Sequence, residues 1–129
     1  MKVVVSVECT GYRKFEAYAQ IENGFLAGAG NTPDNAIADF VECSNEFCEI
    51  DNIDNNYDFV YNFDLSSYLY KLKQKLSLST IANVTGINKT RINEYATGKI
   101  IPNKKTSERI FEKISSFVDT VEYREPAYL

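Results

Sequence analysis

The sequence predicts an α+β fold: a β-β-β-α-β unit followed by an all-helical one. Three observations predict it. Apolar residues alternate with period two in the first third of the chain, whereas from Leu65 they recur at helical spacing. An Asn23-Gly24 pair stands between two strand-like runs, a strong hairpin signal. The charge divides at the same place as the period. Residues 1–64 hold three basic residues (Lys2, Arg13, Lys14) against twelve acidic ones, a balance of −9. Residues 65–129 hold eleven basic and six acidic residues, a balance of +5. Such asymmetry predicts two units with different partners, with the boundary placed between residues 1–63 and 64–129.

The elements follow in order. Val3 to Cys9 is rich in β-branched residues and reads as a strand. Gly11-Tyr12-Arg13-Lys14 is a turn. Phe15 to Ile21 alternates Phe15, Ala17, Ala19 and Ile21 against polar neighbours, the pattern of a half-buried strand. Phe25 to Ala29 is a third strand. Thr32-Pro33-Asp34 opens a helix: Thr32 caps it, Pro33 fits the first helical position, and Asp34 complements the positive end of the dipole. Its apolar stripe runs Ala36, Ile37, Phe40, Val41, Ser44, Phe47 and Cys48 and places its end near residues 46–48. Asp51 to Asn56 is a polar loop, and Tyr57 to Phe63 is the fourth strand.

Leu65, Tyr68, Leu69, Leu72 and Leu76 then mark a helix that Asp64 or Ser66 can cap. Lys71, Lys73 and Lys75 ride on its polar sides. Thr106 to Val121 forms a last helix with Ile110, Ile114, Phe117 and Val121 in one stripe. Residues 123–129 read as irregular.

Composition removes several kinds of chemistry. The chain has no histidine, so Ser-His-Asp and Cys-His catalysis and the usual base near neutral pH are excluded. Cys9, Cys43 and Cys48 are odd in number and lack a C-x-x-C, which argues against a disulfide framework or a zinc site. No cofactor or metal is expected. No apolar run approaches the ~20 residues of a membrane helix. Ser6 interrupts the apolar N-terminal run, so no signal peptide is expected, and the expected location is the cytoplasm.

Residues 76–102 read LSLSTIANVTGINKTRINEYATGKIIP. Ser77 caps a first short helix, Ile81 and Ala82 form an apolar-plus-small packing pair, and Gly86 makes the turn. Ile87 packs, Asn88 caps a second helix, and Ile92 is that helix's central core residue. Gly98-Lys99 and Pro102 end the unit. This stretch resembles the helix-turn-helix of the phage-repressor (Xre/Cro) family over its two-helix core, without a gap. Two short helices cross steeply only if the turn residue tolerates a positive φ, and a small residue such as Ala82 lets their backbones approach. The second helix then has its N-terminal turn free for a major groove.

The resemblance implies DNA-binding residues, position by position. Lys89, Thr90, Asn93 and Glu94 are the base-reading candidates: lysine suits guanine O6/N7 and asparagine suits adenine. Arg91, Lys99, Lys104 and Lys105 are candidate phosphate contacts, which set affinity and not specificity. Ser77 and Asn88 are caps beside the phosphates. One position departs from the family. A glutamine often follows the opening serine and helps clamp a phosphate, but Leu78 stands there. Ser79 or backbone N–H groups must then make that contact. One such unit covers a half-site, so a homodimer or higher homo-oligomer is expected.

The earlier stretch Gly30-Asn31-Thr32-Pro33-Asp34-Asn35-Ala36-Ile37, after three strands and at a helix start, resembles the HicB antitoxin domain. That resemblance implies a partial ribonuclease-H-like β-β-β-α-β fold for residues 1–63. It also implies a partner, a HicA-like toxin that cuts mRNA, and repression of the chain's own operon through the helical unit. The acidic balance of the first unit suits a basic, RNA-binding partner. Two other readings compete. A stand-alone repressor would use the first unit to oligomerise or sense a small ligand. A metal-dependent nuclease would need a carboxylate cluster, for which Glu8, Glu42 and Asp58 are the candidates.

Overall fold

The structure is a computed structural model that describes residues 1–22 and 24–120. Its order is β1 (Lys2–Gly11), β2 (Lys14–Ile21), β3 (Gly24–Gly30), α1 (Pro33–Ile50), β4 (Asp58–Phe63), α2 (Leu65–Leu72), α3 (Leu78–Thr85), α4 (Lys89–Thr97) and α5 (Lys104–Thr120). The α+β class expected from the sequence is present, as a four-stranded mixed sheet and five helices. Asn23, Val121 and the tail expected to be irregular lie outside the described residues.

The sheet order is β3-β2-β1-β4, with β1 antiparallel to β2 and parallel to β4. Alternation places Val3, Val5 and Val7 of β1 on the inner face with Phe15, Ala17, Ala19 and Ile21 of β2. Ala36 and Phe40 of α1 close this core, and Phe40 meets Phe59 edge-on at 5.0 Å. Among the described residues, the opposite face of the sheet carries no helix. Val4, Phe25 and Val60 are exposed there.

Local signals account for the helix starts. The side chains of Thr32, Asp64, Ser77 and Asn88 each accept a backbone N–H three residues on and cap α1, α2, α3 and α4. Helix α1 runs to Ile50, beyond the expected end. Cys48 is buried in this last turn, which Asp51 closes by donating to the Phe47 carbonyl. Helix α2 ends at Leu72, shorter than its apolar spacing suggested. Lys73 to Leu76 form a turn, yet Leu76 still packs on the helical core. That core holds Leu65, Leu69, Ile81, Ile92, Tyr95, Ala96, Ile110 and Ile114.

The two cores touch. Tyr70 of α2 packs against both and meets Phe15 edge-on at 5.6 Å. Asp64 joins the units a second time. One carboxylate oxygen caps α2 through Ser67 N–H at 2.9 Å, and the other accepts Cys9 N–H at 2.8 Å. Lys71 and Asp34 form an exposed ion pair between α2 and α1 at 2.6 Å.

Candidate nucleic-acid interface

Helices α3 and α4 are joined by Gly86, which has φ +73°. Only glycine adopts that conformation without a steric cost, and it lets the chain pass from α3 to α4 within three residues. Ile92 and Ala96 are fully buried and Tyr95 nearly so. That fixes the rotation of α4 and sends Lys89, Thr90, Arg91 and Asn93 outward, where all four are exposed.

Five of the expected residues come together. Lys89, Thr90, Asn93, Glu94 and Lys99 line one groove of about 460 Å³ along α4. The other expected residues do not line it. Ser77 accepts Thr80 N–H at 3.1 Å and Asn88 accepts Arg91 N–H at 2.8 Å, so both side chains are engaged as caps. Ser79 is exposed on the first turn of α3. Arg91 pairs with Glu94 at 3.5 Å, which leaves Glu94 partly neutralised. Lys104 and Lys105 are exposed at the start of α5, with Lys104 reaching Glu108 at 4.0 Å.

The groove also has walls that the sequence reading did not assign. Leu78 lines it and offers no donor. Its far side is the β1–β2 turn, Tyr12 and Arg13, which belongs to the sheet unit. A bulge between Cys9 and Gly11 bends the end of β1, and Arg13 adopts φ +53°. Arg13 N–H donates to the Thr97 carbonyl oxygen at 2.7 Å, tying this turn to the end of α4. Gly98, with φ +79°, caps α4 and lies against the same turn. A β-carbon there would run into Cys9 Sγ and the Gly11 carbonyl oxygen. A signal was present in the sequence: two of the three basic residues before Leu65 are Arg13 and Lys14.

Lys73, in the turn that follows α2, completes the surroundings. Its ammonium donates to Asn93 Oδ1 at 3.1 Å and sits 4.8 Å from the Tyr70 ring centre. Burial, with Arg13 nearby, pushes Lys73 below the usual lysine range. Arg13, Lys89 and Lys99 on the groove add further positive charge. The Asn93 carbonyl, which adenine pairing needs, is already occupied by Lys73.

The carboxylates considered for metal chemistry are dispersed. Glu8 accepts the Tyr18 hydroxyl at 2.8 Å on the open sheet face, while Glu42 is exposed on α1 across the sheet. Asp58 begins β4 opposite Lys2. Among the described residues no cluster of three or more carboxylate or cysteine groups can hold a metal. No described helix is long and apolar enough to cross a membrane. No family model matches the chain, and no curated protein or solved structure is significantly similar to it.

Proposed function

We propose that the chain is an antitoxin of the HicB type: a transcriptional repressor that binds its own operator and neutralises a small basic ribonuclease toxin. The observation that carries this reading is the α3–Gly86–α4 arrangement. A buried Ile92 and two capped helix starts leave Lys89, Thr90 and Asn93 on one open face above a groove. A short helix held in this way suits a major groove, and its cations suit phosphates. Residues 64–129 then act as the helix-turn-helix unit, and residues 1–63 as a partial ribonuclease-H-like unit.

The toxin half of the proposal draws on the sheet. Glu8 and Glu16 are direct cross-strand partners on the open face. Like charges placed opposite each other destabilise a sheet. Neither makes an ion pair among the described residues. A basic partner laid on this face would remove that repulsion and gain from the −9 balance. Exposed Val4, Phe25 and Val60 add apolar contact area. The same apolar residues favour the second reading, in which the sheet pairs with another copy in a stand-alone repressor.

Co-expression separates the two. The antitoxin reading expects an adjacent reading frame for a basic protein of about 60–80 residues, at the small end of the domain range. Its product should arrest growth alone, lose toxicity beside this chain and co-purify with it. A harmless neighbour that does not bind would remove the antitoxin half and leave the repressor.

A further inference from the structure

We propose that the β1–β2 turn is a second DNA-contact element, in which Arg13 holds a backbone phosphate at the edge of the groove that α4 occupies. This rests on the DNA-binding reading and adds to it a residue of the acidic unit.

Four observations carry it. The turn is fixed in place: Arg13 N–H is bonded to the Thr97 carbonyl, and Gly98 packs against Cys9 and Gly11. Arg13 and Tyr12 are exposed and line the same groove as Lys89, Thr90 and Asn93. Among the described residues, the Arg13 guanidinium has no carboxylate partner; only its Nε donates, to the Tyr12 hydroxyl at 3.0 Å. The remaining guanidinium N–H groups form the planar fork that suits phosphate oxygens. Finally, the chain concentrates cations here against its own balance. Arg13 is one of only three basic residues in a −9 segment, yet it lines the groove with Lys89 and Lys99 and lies near Lys73.

The arrangement has an electrostatic logic. Arg13 and Lys73 repel one another, which a phosphate between them would reverse. Leu78, at the start of α3, lines the groove without a donor, and Arg13 stands on the same groove to supply one. The phosphate would also draw Lys73 from Asn93 and free that amide for a base edge.

The test uses the full-length chain and a labelled random-sequence DNA duplex, with affinity measured over a range of salt concentrations. The variant is Arg13→Gly. Glycine accepts φ +53° and keeps the N–H that bonds Thr97, so the turn stays folded, and an unchanged thermal melt verifies that. One lost phosphate contact lowers the slope of log K against log salt by about 0.9. Arg13→Lys, which keeps the charge, restores most of the slope. An Arg13→Gly protein with wild-type slope overturns the proposal. So does tighter binding by that variant, which would mark the turn as an obstruction. A wild-type chain with no affinity for any duplex removes the DNA reading itself, and this inference with it.

Discussion

Replacing Gly98 by alanine tests whether the sheet unit and the helical unit are packed together as described. Two costs combine at this position. A residue bearing a β-carbon pays about 1–2 kcal/mol for the left-handed conformation at φ +79°. The new methyl also meets Cys9 Sγ and the Gly11 carbonyl, which belong to a hairpin tied down at Asp64 and Thr97. Overpacking of that kind costs about 1–3 kcal/mol. The sum is about 2–5 kcal/mol. Gly86→Ala is the matched control. Its φ is +73°, but a β-carbon there meets only the flexible end of Lys113 at 3.6 Å, an ordinary contact. It should cost the conformational part alone, about 1–2 kcal/mol. Urea unfolding followed by circular dichroism gives both values. If the two variants lose the same stability to within about 0.5 kcal/mol, the β1–β2 turn does not rest on α4.

Three further outcomes are expected. Asp64→Ala removes the α2 cap and orphans Cys9 N–H, at a cost of about 2–4 kcal/mol in urea unfolding, whereas loss of a simple exposed cap would cost about 1 kcal/mol. Glu16→Gln relieves the repulsion with Glu8, so the isolated chain gains about 0.2–1 kcal/mol while its affinity for a basic partner falls; a stability loss would contradict the cross-strand argument. Burial, with the Asp64 carboxylate beside it, pushes the Cys9 thiol above its usual value. Because the folded value is the higher one, the linked stability is fully present below the unfolded thiol's pKa and is lost as pH rises through the folded value. Alkylation of Cys9 should therefore rise at a higher pH than that of a free cysteine, and a profile at or below about 8.5 would contradict its burial.

Much of the architecture was legible because it rests on local chemistry. Thr32-Pro33, Ser77 and Asn88 announced helix starts, and Asn88 to Ile92 fixed the face of α4. The alternation in Phe15 to Ile21 identified the inner face of the sheet. Other features depended on distant neighbours. Leu72 ends α2 although Leu76 continues its apolar spacing, since a turn delivers Leu76 to the same core. Asp64 could be read as a cap, but not as the acceptor for Cys9, 55 residues earlier. The groove was half legible for the same reason. Lys89, Thr90 and Asn93 follow from helical geometry, whereas Arg13 reaches them only because a bulged hairpin docks on Thr97 and Gly98. Lys73 likewise read as one of three lysines on a solvated face, and only packing brings it to Asn93.

The proposed base-reading role of α4 is open to a direct test. Duplexes selected from a random pool by the full-length chain should converge on one sequence. Lys89→Ala should then weaken the selected duplex by about 1–3 kcal/mol and relax its specificity, while Lys104→Ala weakens selected and random duplexes alike and lowers the salt slope by about 1. A pool that never converges, or a Lys89→Ala loss that is equal on selected and random duplexes, would contradict the assignment of this helix to base reading.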